Sequence, residues 1–95
     1  MDNFTLDSVL QRIDIDVVET DFDGDVVLMH IDHGKYYSLN ATSSDLWRWL
    51  ATPTKIQNLV TQLHEKYNCS QEQSFQDILL FLDQLVDLKL VHVVH

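Results

Sequence analysis

From Ile13 to Leu39 the chain is dominated by β-branched and aromatic residues, and it is interrupted at Asp23-Gly24 and again at Asp32-His33-Gly34. Both interruptions are turn signals, so three antiparallel strands are predicted, at about 15–22, 25–31 and 35–39, joined as a meander of two hairpins. From Asn40 onward the apolar residues recur at helical spacing instead. Three helices are predicted, each opened by a capping side chain with a partner three residues later: Thr42 with Asp45, Thr54 with Gln57, and Ser70 with Gln73. The first carries Leu46, Trp47, Trp49 and Leu50 and stops near Pro53, which disfavours helical conformation in the residue before it. The second carries Ile56, Leu59, Val60 and Leu63 and runs to about Tyr67; the third runs from about Gln71 to Leu88. The tail Leu90 to Val94 has the composition of one more short strand. The order is βββααα, an α+β fold class in which a three-stranded antiparallel sheet packs on three helices.

The third helix has an apolar set too wide for one buried stripe. Phe75, Ile78, Leu79, Leu82, Leu85 and Val86 form a contiguous core face. Phe81 and Leu88 then fall on a flank roughly 100° away, with Leu80 further round. An isolated exposed leucine is ordinary on a monomer, which accounts for Leu80. Two large residues one helical repeat apart, bordered by Asp77 and Gln84, can line a groove.

The 95 residues suit one domain, and a 45% hydrophobic content with one proline and two glycines indicates an ordered core. We divide the chain into an N-terminal arm, 1–12, and a domain, 13–95. No segment reaches the roughly 18 apolar residues that span a bilayer, and the start lacks a basic stretch followed by an apolar run. A cytoplasmic location is expected, in keeping with a single cysteine, Cys69, which excludes an intrachain disulfide and a thiolate zinc cage. The formal charge of −9 repels nucleic acid and anionic membranes and would steer in a basic peptide or protein surface, although it also serves solubility.

Candidate chemistry is sparse. His30 and His33 flank a turn at a chelating spacing, but two ligands alone make a weak metal site. Asp21, Asp23 and Asp25 resemble the start of a calcium loop, yet Val26 stands where that loop needs glycine and Asp32 where it needs a bidentate glutamate. Cys69 precedes a helix cap with His64 nearby, a pairing that nucleophilic catalysis would require but that is far more often inert in a connector. There is no phosphate loop, nucleophile elbow or zinc-binding HExxH sequence. The second helix offers DNA only Lys55 and Lys66, with Glu65 between them. No catalytic residue, no cofactor and no metal are therefore expected.

The remaining feature is a strand edge beside an apolar helix flank. The last strand of a meander leaves N–H and C=O groups unpaired, and an extended peptide can satisfy them by adding itself as the next strand. Lys35, Tyr36, Tyr37, Ser38 and Leu39 form that edge. Alternatively the arm, through Phe4, Leu6, Val9 and Leu10, covers it.

The run from Asp23 to Asn40 followed by Leu46-Trp47 resembles the PqqD-like family, in which a strand pair ending in Tyr-x-Leu-Asn precedes a helix bearing a bulky aromatic; Tyr37, Leu39, Asn40 and Trp47 carry the match. The likeness extends to about Val94, and the arm departs from the shortest members. The resemblance implies a winged-helix-like architecture that captures the leader segment of a ribosomally synthesised precursor peptide, the leader lying antiparallel to the third strand and against the third helix. Carried over by position, Lys35 to Leu39 pair with the leader, while Asp77, Phe81, Gln84, Leu85 and Leu88 form the helix wall. A stand-alone domain of this size is similar to those that present lasso-peptide precursors to a leader peptidase and a cyclase; the same module serves other peptide-modifying pathways. The alternative is a protein-interaction or regulatory module that uses the same surface for another partner.

Overall fold

The computed structural model describes residues 4–94; Met1 to Asn3, the first residues of the arm, and His95 lie outside the described residues. The meander comprises β2 (Val17–Phe22), β3 (Asp25–His30) and β4 (Lys35–Ser38), in spatial order β2-β3-β4. Asp23 and Gly24 form its first turn, both at positive φ, 55° and 90°, as a two-residue primed turn demands. Alternation along β3 sends Val26, Leu28 and His30 into the protein and Val27 and Met29 to the other face.

The three helices are α1 (Ala41–Trp49), α2 (Ile56–Tyr67) and α3 (Gln71–Asp87). They enclose a core containing Leu46, Trp47, Leu59, Leu63, Ile78 and Leu82, and Leu28 of the sheet joins the same cluster. The α+β architecture of a three-stranded antiparallel sheet with three helices is as the periodicities imply, as is the tail strand, with two further short strands added.

Those strands form a second sheet. β1 (Val9–Arg12) lies between β5 (Thr54–Lys55) and β6 (Val91–Val93), with Leu10 opposite Thr54 on one side and Val93 on the other. The described part of the arm thus supplies a central strand, with Leu10 fully buried. It does not lie on the edge of β4.

Two of the three expected caps are corrected. At α1 the cap is Asn40, extended at φ −73° and ψ −179°, whose side chain accepts from the Ser43 amide at 2.8 Å; Thr42 is already inside the helix. At α2 the cap position is Lys55 and no side chain caps it. The arm does this work instead, since Ser8 O and Leu6 O accept the amides of Ile56 and Gln57, each at 3.0 Å. A backbone carbonyl from a neighbouring strand satisfies the orphan donors of a first turn as well as a side chain does. Thr54 is held in β5, with its hydroxyl directed to Trp49 O and Thr52 O. At α3 Ser70 accepts from Gln73 N at 3.0 Å, as its spacing predicts. α1 ends at Trp49, short of Pro53.

The candidate peptide-binding site

β4 follows directly from the hairpin, and its outer side has no strand partner among the described residues. Its register against β3 sets Tyr37 opposite Leu28 and Tyr36 opposite Met29. The amide of Leu39 donates to Val26 O at 2.9 Å, which marks that pair as hydrogen-bonded. Hydrogen-bonded and non-hydrogen-bonded pairs alternate in an antiparallel ladder, so Tyr37 bonds inward to β3, and Tyr36 and Ser38 turn their N–H and C=O groups outward. The side chains alternate as well: Tyr37 is half-buried against the core and Tyr36 is 72% exposed.

The end of this strand is pinned by Ser44 of α1. Its buried Oγ accepts the amide of Val26 at 2.8 Å and donates to Leu39 O at 3.2 Å, so the hydroxyl bridges the two backbone groups at the end of the β3-β4 ladder. β4 therefore ends at Ser38, and Leu39 drops into the core to deliver Asn40 to the start of α1.

A cleft of about 290 Å³ opens at that point. Asn40, Thr42, Ser43 and Leu46 form one wall, and Asp77, Leu80, Phe81 and Gln84 of α3 form the other. Asp77 is steadied by Gln73, whose Nε2 donates to Oδ1 at 2.9 Å. The cleft lining combines apolar Leu46, Leu80 and Phe81 with polar side chains on both walls, a composition suited to an apolar side chain whose backbone stays hydrogen-bonded.

The residues singled out from sequence are thus partly brought together. Asp77, Phe81 and Gln84 line one cleft, next to the strand that carries Lys35, Tyr36, Tyr37 and Ser38. Phe81 is 6% exposed and belongs to the core as well as to the cleft, not to an open flank as its helical angle implies. Leu39 is buried, Leu85 is 3% exposed in the core, and Leu88 is half-buried against it, so none of the three lines the cleft. Leu80, read from sequence as an incidental exposed residue, lies on the wall at 65% exposure. The α1 contribution was missed, although Asn40 and Leu46 stand within the Tyr-x-Leu-Asn to Leu-Trp stretch.

Behind the site, two ion clusters tie the meander to the helices. Trp47 Nε1 donates to Glu19 Oε1 at 2.7 Å, and Arg12 lies over the same indole, 5.3 Å from its centroid and 3.4 Å from Glu19. Arg48 bonds to Asp21 and to Gly24 O, each at 3.0 Å, holding the hairpin tip against α1. Asp45 is buried beneath Lys66, whose Nζ lies 2.7 Å away, and it also accepts from the Tyr67 hydroxyl. Burial pushes the Asp45 carboxyl up, but the hydrogen bonds from Lys66 and Tyr67 and the charges of Lys66 and Arg48 outweigh it and hold the group below its ordinary 3.8.

The sequence-stated candidates for chemistry do not assemble. The His64 imidazole meets the carbonyl of Cys69, whereas the thiol faces Ser74 Oγ at 3.0 Å, so the two side chains do not form a nucleophile and base. His30 and His33 stack face to face, 3.8 Å between centroids and 11° from parallel. Among the described residues, no three His, Cys, Asp or Glu side chains converge on a point where a metal could sit.

An α+β domain with an open edge strand running into a cleft between two helices has the geometry that strand addition by an extended peptide requires. The sequence profile of the family described as coenzyme PQQ synthesis protein D (PqqD) matches residues 25–91, and the chain belongs to that family. Among solved structures it is similar to TbiB1 in complex with the TbiA(beta) leader peptide, at 27% identity and a TM-score of 0.78 over 86% of this chain and 94% of that one. It also shares its fold with a lasso peptide synthetase B1 complexed with the leader peptide, at 17% identity and a TM-score of 0.77 over 87% of this chain and 96% of the other. No curated protein sequence matches it.

Proposed function

We propose that this protein is a non-catalytic adaptor that captures the leader segment of a ribosomally synthesised precursor peptide by strand addition to β4 and presents it to processing enzymes, a leader peptidase and a cyclase of a lasso-peptide pathway. The observation that carries this reading is the unpaired outer edge of β4 ending at the α1–α3 cleft. Membership of the PqqD family and the leader-bound state of both structural relatives support it. Peptide backbone would bond to the outward groups of Tyr36 and Ser38, which gives affinity with little sequence preference. A leader antiparallel to β4 places its N-terminal end over the cleft, where Leu46, Leu80 and Phe81 take an apolar side chain and Asp77 faces a basic or amide-bearing one. Lys35 and Tyr37 position the edge, and Leu39, Leu85 and Leu88 act from beneath as packing. Selection thus comes from the cleft, and the reaction belongs to the partners.

The test is a titration of the protein with a synthetic leader from the precursor of its own gene cluster, followed by fluorescence anisotropy. Micromolar or tighter binding, competed by unlabelled leader, is expected. Lack of binding by a folded protein refutes the adaptor role and returns the alternative of a regulatory interaction module.

A further inference from the structure

On the side of the meander turned away from the helices, the register aligns side chains in rows that run across the strands to the open edge. Val18, Met29 and Tyr36 form one row, and Thr20, Val27 and Ser38 form the next. Val18, Thr20, Val27, Met29 and Tyr36 line a shallow hollow of about 180 Å³. β3 reads Val26-Val27-Leu28-Met29 without a polar break, the pattern of a strand with apolar partners on both faces. Tyr36 is the last member of its row, because β4 is the outermost strand, and it is 72% exposed.

Strand addition completes that row. The outward N–H and C=O of Tyr36 pair with one leader residue, and residues directly opposite in an antiparallel ladder put their side chains on the same face, with Cβ atoms about 5 Å apart. The leader residue opposite Tyr36 therefore projects to the outer face, away from the α1–α3 cleft. The residue before it, opposite Tyr37, projects to the helix side, and the one before that meets Ser38. Ser38 offers a short hydroxyl with little surface to pack against, whereas Tyr36 offers a ring backed in its row by Met29 and Val18. A ring on an edge strand gains from an aromatic or β-branched partner set opposite it.

We infer that Tyr36 reads a second leader side chain, an aromatic or β-branched one, on the outer face of the sheet. This rests on the adaptor reading above and adds a point of selection to that of the cleft. The leader is then recognised on both faces of the strand it forms. One apolar side chain enters the cleft lined by Leu46, Leu80 and Phe81, and another, nearer the leader's C-terminal end, covers the Tyr36 ring. The outer site is open to solvent, so a fitting residue there gains only about three- to fivefold in affinity over alanine.

The test is a set of double-mutant cycles on the intact protein, read by anisotropy, with the synthetic leader from the precursor of its own gene cluster as probe. Each leader position is changed to alanine and titrated against wild type, Tyr36→Ala, Tyr36→Phe and Leu80→Ala, whose folds are compared by circular dichroism. Tyr36→Ala is expected to bind the unaltered leader about three- to fivefold more weakly than wild type, and Tyr36→Phe within about twofold of it. One aromatic or β-branched leader position is expected to lose its alanine effect in Tyr36→Ala, and to lie C-terminal to the position that couples to Leu80. Wild-type affinity of Tyr36→Ala overturns the inference. So does an equal loss for every leader variant, which assigns the ring to the edge itself and not to a leader side chain. Coupling to a residue of another type, or to one N-terminal to the Leu80 position, also overturns it. In each of those cases the wild type still binds leader and the adaptor reading stands; a wild type that binds no leader refutes both.

Discussion

The indole nitrogen of Trp47 donates to the carboxylate of Glu19 at 2.7 Å, so the most deeply buried aromatic of the helical half is hydrogen-bonded to the strand furthest from the peptide edge. Trp47 is 0% exposed, and the Glu19 carboxylate is the acceptor its N–H reaches. Glu19→Ala therefore leaves a buried donor unsatisfied, which costs about 1–3 kcal/mol. For a domain of this size that lowers Tm by roughly 4–24 °C, at about 4–8 °C per kcal/mol. Calorimetry of the variant checks this. A Tm within a degree of wild type would show that the bond contributes nothing.

Ser44 sets where β4 ends, through its bonds to Val26 N and Leu39 O. Ser44→Ala removes both and orphans a buried amide, a loss of about 1–3 kcal/mol. It is expected to weaken leader binding too, because the strand end and the start of the cleft are positioned by the same hydroxyl. Chemical denaturation and anisotropy on one preparation separate the two effects.

The alternation along β4 distinguishes two proline substitutions. Ser38→Pro removes an outward N–H and leaves the inward ladder intact, and Tyr37 before it is already extended, as a residue preceding proline prefers. It should keep the fold and lower leader affinity tenfold or more. Tyr37→Pro removes an inward N–H and should destabilise the hairpin by the loss of a ladder hydrogen bond to β3. Circular dichroism beside the binding curve discriminates them. Equal leader affinity of Ser38→Pro and wild type would mean that the leader does not add to this edge.

On the cleft wall, Leu80→Asp changes an exposed residue and is expected to shift stability by no more than about 0.5 kcal/mol while reducing leader affinity about tenfold. Phe81 cannot serve in this way, because it is part of the core and a charge there would unfold the protein.

The Asp45 cluster predicts a pH response at both ends. Asp45 titrates below its ordinary 3.8, so its contribution is complete above that value and disappears as pH falls through the lower folded-state value. Lys66, raised above 10.5 chiefly by its hydrogen bond to Asp45, and Tyr67, raised above 10.0 by the same carboxylate, contribute below those values and lose their contribution as pH rises through the folded ones. Asp45→Asn should be less stable than wild type at neutral pH, with the difference shrinking below pH 3.8. A difference that is constant with pH would exclude this origin.

The meander, the three helices and the Ser70 cap were legible because each is written in neighbouring residues: period two, period 3.6, an Asp-Gly turn, and a serine three positions before its donor. The edge strand was legible for the same reason, as the last member of a hairpin series. The Thr54 cap was misread because the amides it would serve are taken by Leu6 O and Ser8 O. Nothing local in the sequence brings the arm to that helix.

The chain's own periodicities and turns thus determined the meander, the three helices, the tail strand and their order. The tertiary structure alone decided that Leu10 pairs with both Thr54 and Val93, that Phe81 turns into the core, and that Asn40, Ser43 and Leu46 face α3 across a cleft. Periodicity fixes which face of an element is apolar. Which element meets that face depends on contacts between residues far apart in the chain, and those follow from packing the whole core at once.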